Sequence, residues 1–231
     1  YITFVDADDL LFEDYYTSVF SVINNAAPDI IDIGYRRFSD QNNLKNNSDM
    51  FTYNNFGFLK TNEVISNIFA HALFYSWARV IKKTVIGDLR FPAGVNYCED
   101  MIFLYPLYQK SETIFHIDKG LYAYRDNPEG ATRNMKPDYL ESMLALYQKL
   151  LKDNRPEISY LKITVFYVIY SCSGKIGKAV ILPLNIFIDS KKLAFKFLFD
   201  KQIPVRKKMI LLIPNIHQKL ASLKTYFLSR S

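Results

Sequence analysis

Three carboxylates fall within four positions near the start of the chain, in YITFVDADDLLFEDYY, where Asp6, Asp8 and Asp9 follow five residues that read as a buried strand. Like charges this close repel, and partial burial raises their pKa values unless a cation or hydrogen-bond donors compensate. About ninety residues later a second acidic pair, Glu99 and Asp100, opens a predicted helix. Acids at the carboxyl end of a strand stand where open α/β sheets bind ligands. Carboxylates combined with substrate phosphate oxygens are the usual way in which Mg²⁺ or Mn²⁺ is held, which makes Asp6 and Asp8 candidate metal ligands. Plainer explanations exist: an Asp caps a helix well, and the helix dipole favours acids in a first turn such as that of Glu99 and Asp100. A cap needs one Asp, however, not three. An EF-hand loop is disfavoured because no Gly stands at the sixth position, and His71, His116 and His217 have no metal-type spacing.

The elements that must position these acids follow from periodicity. FEDYYTSVFSVINN places Tyr16, Val19, Phe20 and Ile23 on one helical face, with Glu13 and Asp14 in the first turn. DIIDIGYRRF reads as a second strand, the Asn-rich run 41–49 as a loop, and MFTYNNFGFL as a strand or hairpin arm. TNEVISNIFAHAL predicts a helix capped by Thr61 with a stripe of Val64, Ile65, Ile68 and Phe69. FYSWARVI is a short apolar strand. CEDMIFLYPLYQKS is a helix that Pro106 should kink or stop. TIFHIDKGLYAYR suggests two short strands about a turn at 118–120. Pro137 suits the first position of a helix whose stripe is Met143, Leu146, Tyr147 and Leu150. Helices are expected beyond residue 155, and no internal repeat is visible.

A chain of 231 residues with 49% apolar and 16% aromatic content is globular and can bury a sizeable core. Its net charge of +6 is unevenly spread: residues 1–155 hold 16 basic and 20 acidic side chains, residues 156–231 hold 13 and 3. In the C-terminal third the basic residues alternate with aliphatic runs such as AVILPLNIFI and MILLIP, which suits an anionic membrane surface better than nucleic acid. Lys162, Lys175 and Lys178 bracket the longest apolar run, ITVFYVIYSCS, so the region is expected to lie on a membrane without crossing it. Cys98 and Cys172 form no framework or metal pattern, in keeping with a reducing, cytoplasmic setting. The chain opens inside a strand without an initiating Met, which suggests a missing upstream portion.

Four stretches, YITFVDADDLLFEDYY, FYSWARVIKK, YCEDMIFLYPLY and LYAYRDNPEGATRN, together resemble in order and spacing the family-two inverting glycosyltransferases of the GT-A fold that build bacterial surface polysaccharides. The resemblance covers roughly residues 1–135. It implies an α/β fold: a partial GT-A, Rossmann-like mixed sheet over residues 1–135, lacking its N-terminal nucleotide-binding half, then a helical basic extension over 136–231. It implies that Asp6 and Asp8 hold Mn²⁺ or Mg²⁺ and a nucleotide-sugar donor, that Asp100 is the general base and Glu99 orients the acceptor or base, and that Arg125, Thr132 and Arg133 belong to a segment over the diphosphate. Trp77 and Arg79 fall near the acceptor, Arg79 where the family often has Lys. The implied reaction is metal-dependent sugar transfer with inversion to a glycan or lipid-linked acceptor, on the inner face of the cell membrane, with residues 156–231 against anionic lipid. Without the upstream half, this chain alone is expected to be inactive. Two competing readings are a haloacid dehalogenase-like phosphatase with Asp6 as nucleophile, disfavoured because Asp9 stands where Gly-Thr is usual, and a non-catalytic membrane-associated module.

Overall fold

The computed structural model describes residues 1–39, 44, 47–95, 97–127 and 136–213. The chain divides into two compact units, the first made of Tyr1–Ile68, Leu73–Ala93 and Glu99–Gly130, the second of Phe69–Ala72, Gly94–Cys98 and Ala131–Ser231.

The first unit is a curled mixed sheet with helices. Its elements are β1 (Ile2–Thr3), β2 (Leu10–Leu11), α1 (Tyr15–Ala26), β3 (Ile30–Phe38), β4 (Gly57–Lys60), the first turns of α2 (Thr61–His71, which from Phe69 onward belongs to the second unit), β5 (Arg79–Ile81), α3 (Lys83–Ile86), α4 (Glu99–Lys110) and β6 (Thr113–Arg125). The sheet order is β1-β5-β3-β6-β2, with β4 also on β6. Its spine is the parallel pair of β3 and β6. Both strands are buried along most of their length and so read as near-continuous apolar runs.

Several elements differ from their sequence expectation. β6 is one strand of 13 residues, not two about a turn. The apparent turn residue Gly120 pairs with Gly34 of β3 where the register shifts. A side chain at Gly120 would meet Asp49, whose carboxylate accepts the Gly120 N–H at 2.9 Å, and one at Gly34 would meet Phe51 and the Lys119 carbonyl. Glycine inside a strand here marks close approach, not chain reversal. α4 runs through Pro106 to Lys110, because Leu104, Leu107 and Tyr108 are buried around the proline and their packing outweighs the missing hydrogen bond. α1 buries Tyr15, Val19 and Val22, leaving Tyr16 and Phe20 exposed. Tyr15 packs in the core and its hydroxyl meets that of Thr3 at 2.7 Å. The expected cap Thr61 instead joins Ser111, hydroxyl to hydroxyl, at 3.2 Å.

One charged group lies wholly inside. Arg79, at the start of β5, has no exposed surface and pairs through Nε with Asp32 of β3 at 2.7 Å. Its guanidinium also donates to the Tyr108 hydroxyl (2.5 Å) and to the carbonyls of Ala78 (3.1 Å) and Leu73 (3.0 Å). Tyr53 donates its hydroxyl to Asp32. An unpaired ion in such surroundings costs several kcal/mol, and these partners offset that cost.

The second unit is helical, with α5 (Pro137–Leu150), α6 (Ile158–Ile176), α7 (Leu184–Lys196) and α8 (Val205–Leu212). α6 is buried nearly all round, as a central helix must be. Asp189 of α7 ties three helices together: it accepts from Tyr147 of α5 at 2.9 Å and pairs with Lys162 of α6 at 3.6 Å. Lys207 of α8 is also buried and donates to the Ala70 carbonyl (2.5 Å) and Thr164 Oγ1 (2.7 Å). Burial pulls its pKa down to about 7. No helix among the described residues is long and apolar enough to cross a membrane.

Arg79→Met should lower the stability of the first unit by about 3–5 kcal/mol, because it strands the Asp32 charge in the interior. Adding Asp32→Leu should recover most of the loss. Urea denaturation followed by tyrosine fluorescence reads both effects, and a double variant no better than the single would contradict the assignment.

Candidate active site

The acidic loop occupies its position because of where the two strands beside it pair. β1 lies against β5 at one end of the sheet, while β2 lies against β6 on the far side of the β3–β6 pair. Residues 4–9 therefore pass the carboxyl end of the sheet to join them. Asp9 anchors the passage: it is buried, its Oδ2 accepts from the Tyr122 hydroxyl at 2.7 Å, and its Oδ1 accepts from the Arg125 N–H at 2.7 Å. The Tyr122 hydroxyl also accepts the Asp6 N–H at 3.1 Å, and a turn closes from the Asp9 N–H to the Asp6 carbonyl. Trp77 stacks on the Tyr122 ring at 4.7 Å and 25°. Two of the three acids are thereby left for other work. Asp8 is exposed, with Asn127 Nδ2 at 3.4 Å from its Oδ2 and Arg125 Nε donating to its carbonyl at 2.8 Å.

Glu99 and Asp100 open α4, directly after Cys98, which holds the left-handed φ of 57°. For a non-glycine residue that conformation is uncommon and is concentrated at functional sites. α4 is tied to the acidic loop by aromatic rings. Phe103 of α4 stacks on Phe91 at 4.1 Å, and Phe4, two residues before Asp6, meets both edge-on at 5.7 and 5.3 Å. Asp100 Oδ2 accepts from the Ser76 N–H at 3.4 Å, at the start of the short 3-10 turn Ser76–Ala78 that leads into β5. Strand, turn and helix so bring together acids some ninety residues apart.

The electrostatics record that convergence. Asp6 still meets solvent, but partial desolvation raises its carboxyl above its ordinary range, and the charges of Asp9, Asp8 and Glu99 add to the rise. Burial likewise pushes Asp100 up to about 6, helped by Glu99 and Asp6 and opposed by hydrogen bonds from Ser76. Asp9 is raised by burial as well, with the Arg125 N–H and Tyr122 working against it. Asp6 and Asp100 thus each feel the other's cluster. No group of three or more metal-ligating side chains gathers among the described residues. Asp6 and Asp8 are thus two carboxylates, fewer protein ligands than an all-protein cage would need.

The remaining expected site residues divide. Arg125 lies at the acidic loop and lays its guanidinium over the Phe38 ring at 4.6 Å. Trp77 is buried and supports Tyr122 from behind. Arg79 is corrected: it is wholly interior and committed to Asp32 and Tyr108, so no acceptor reaches it. Thr132 and Arg133 lie outside the described residues. Tyr122, Ser76, Phe91 and Phe103 were not legible as site residues, because each acts through partners distant in sequence. The one available sign was Tyr122 itself, a hydroxyl in an otherwise apolar strand, which must find a partner when buried.

Comparison with known proteins finds similarity to two relatives named as glycosyltransferases. It is 28% identical over 131 residues to the glycosyltransferase GlyA of Streptococcus pneumoniae serotype 4 (strain ATCC BAA-334 / TIGR4), a match covering 54% of this chain and 19% of that protein. It is 26% identical over 161 residues to the uncharacterized glycosyltransferase EpsJ of Bacillus subtilis (strain 168), covering 64% of this chain and 44% of that protein. The chain therefore spans less than half the length of these curated relatives. Its fold is similar to that of S. aureus TarS 1-349, with a TM-score of 0.55 at 14% identity over 95% of this chain and 63% of that one. The TarS structure in complex with UDP-GlcNAc gives a TM-score of 0.53 at 13% identity, over 95% and 64%. No family model matches the chain.

Asp100 also makes a prediction that needs no assay of activity. Its folded pKa of about 6 exceeds the ordinary value of 3.8, so its contribution is fully favourable below pH 4 and is lost as pH rises through 6. Asp100→Asn, which keeps an acceptor for Ser76, should therefore be more stable than the parent by about 2–3 kcal/mol at pH 8 and equal to it near pH 4. Denaturant midpoints across that range measure the difference. A parent more stable than the variant at pH 8 would mean that Asp100 is not held under strain by its surroundings.

Proposed function

We propose that this chain carries the catalytic carboxylates of a family-two, GT-A-type glycosyltransferase that moves a sugar from a nucleotide-sugar donor to a glycan or lipid-linked acceptor with inversion. The observation that carries the reading is the meeting of two acidic clusters in one electrostatic field, with Asp100 raised to about 6. A general base is most effective when its pKa lies near the working pH, and burial has moved an ordinary Asp towards that range. Asp100 takes the proton of the acceptor hydroxyl as its oxygen attacks the anomeric carbon from the face opposite the diphosphate. The bond from that carbon to the diphosphate oxygen breaks, and the nucleoside diphosphate departs with the bonding pair. Glu99, beside Asp100 at the helix start, orients the acceptor, and its charge adds to the rise that burial gives Asp100. Asp6 and Asp8 would hold Mg²⁺ or Mn²⁺, which when bound supplies neutralisation of charge on the leaving group, worth several kcal/mol. The repulsion that Asp6 suffers from its neighbours favours such a cation. Arg125 steadies the Asp8 backbone. The names of the curated relatives support sugar transfer as the chemistry, and the UDP-GlcNAc bound by a protein of similar fold supports the donor class.

In the intact protein, Asp100→Asn should lower kcat by about a hundredfold to ten-thousandfold with little change in donor KM. Asp8→Ala should instead raise the donor KM and the concentration of Mn²⁺ needed for half-activity. Because the base must be unprotonated, kcat/KM of the parent should rise with pH to a plateau through an apparent pKa near 6. Release of nucleoside diphosphate from a panel of nucleotide-sugars reads all three. An Asp100→Asn enzyme of undiminished kcat would remove the base assignment.

A further inference from the structure

The helical unit carries apolar surface on two sides. Eleven of the twenty most exposed large apolar side chains among the described residues lie between Ile181 and Ile213. α7 buries Ile186, Ser190, Leu193 and Ala194, yet its opposite face presents Leu184 (72% exposed), Ile188 (45%) and Phe195 (78%), spaced by four and seven residues. α8 repeats the arrangement: Lys207, Ile210 and Leu211 point inward, while Val205 (70%), Met209 (61%) and Leu212 (40%) form an outward stripe. Between the two helices Phe199 stands almost free at 89%. Lys191 Nζ donates to the carbonyls of Leu211 and Leu212 at 2.9 Å each, so α7 grips the end of α8 and the stripes belong to one helix pair. Soluble surfaces scatter such residues singly, and a concentration of them marks an interaction site.

The charges around these stripes identify the partner. From Lys178 to Ile213 there are only two acids, and both are engaged within the unit: Asp189 by Tyr147 and Lys162, Asp200 by the Tyr160 hydroxyl at 2.8 Å and the Gln202 N–H at 2.8 Å. The exposed charges are Lys178, Lys192, Lys196, Lys201 and Arg206, all positive. We infer that α7, α8 and the turn between them form a docking face for an anionic lipid surface, lying in the plane of the interface with Leu184, Phe195, Phe199 and Met209 inserted at headgroup depth. A helix with apolar residues outward and lysines beside them, too short to span, is the physical description of an interfacial anchor. A second copy of the chain would set these cations against one another, which disfavours self-association as the cover. The inference stands apart from the transfer chemistry, since none of these residues belongs to the acidic site.

Sedimentation with vesicles tests it. The protein should partition onto vesicles of mixed phosphatidylcholine and phosphatidylglycerol, far less onto phosphatidylcholine alone, and less as NaCl is raised. Replacing Lys178, Lys192 and Lys201 together by Gln should weaken partitioning about a hundredfold, each cation near an anionic surface contributing about a factor of five. Leu184→Ser with Phe195→Ser and Phe199→Ser should weaken it at least tenfold, since the three rings and branches are lost from the apolar phase. All six positions are exposed, and an unchanged circular dichroism spectrum and thermal midpoint confirm that the variants fold. Equal binding to both vesicle types, undiminished binding by the apolar variant, or a solution dimer that the apolar variant dissolves would each overturn the proposal. Activity on a water-soluble acceptor is a separate measurement, so loss of one reading leaves the other standing.

Discussion

The site depends on one carboxylate giving up its chemistry. Asp9 spends both oxygens on partners more than a hundred residues away, the Tyr122 hydroxyl and the Arg125 N–H, and thereby fastens the acidic loop to the end of β6. With Asp9 committed, Asp6 and Asp8 are held close together with few donors of their own. The loop would otherwise relax away from the repulsion among its acids, because exposed carboxylates separate readily in water. Charge-assisted hydrogen bonds of about 2.7 Å are strong enough to prevent that. The fold therefore uses one acid to keep the other two where water alone would not.

A second constraint works from inside the sheet. Arg79 and Asp32 bury a full ion pair between β5 and β3, immediately after the turn that supplies Ser76 to Asp100. Such a pair contributes little net stability against an apolar replacement. What it does provide is geometry, since Arg79 donates to the Leu73 carbonyl before the turn and to the Ala78 carbonyl at its end. The Ser76 N–H that meets Asp100 is thus fixed by a residue that never approaches the surface. This accounts for the basic residue two positions after Trp77 without any contact to a ligand.

The sequence revealed types more readily than paths. β3, α2 and α5 were legible with their buried stripes, because Val64, Ile65, Ile68 and Phe69, like Met143, Leu146, Tyr147 and Leu150, repeat at the helical period. β6 was not, since Gly120 in the chain looks like a turn until Gly34 is seen opposite it and Asp49 above it. α1 was placed correctly but rotated: Tyr16 and Phe20 are as apolar as Tyr15 and Val22, yet it is Tyr15, Val19 and Val22 that pack in the core, with the Tyr15 hydroxyl against Thr3. The acids of the site were visible as a cluster, yet which of them is structural depends on Tyr122 and Arg125, and spacing carries no trace of that. The family resemblance set Arg79 near the acceptor, where burial gives it to Asp32.

The two units handle charge in opposite ways, and the contrast has a common cause. In the first, acids are drawn together where backbone donors and aromatic joints oblige them to stay, so their charge becomes available for a ligand of opposite sign. In the helical unit, the acids are turned inward and satisfied, which leaves cations as the whole of the exposed charge from 178 to 213. Neither pattern is what folding stability would select, because interspersed charges and singly scattered apolar side chains are the lower-energy surface. Each unit departs from that surface at one place. A departure paired with fixed, fully bonded support, as Asp9 supports the acids and Asp189 and Asp200 support the helices, is where a second molecule has something to offset.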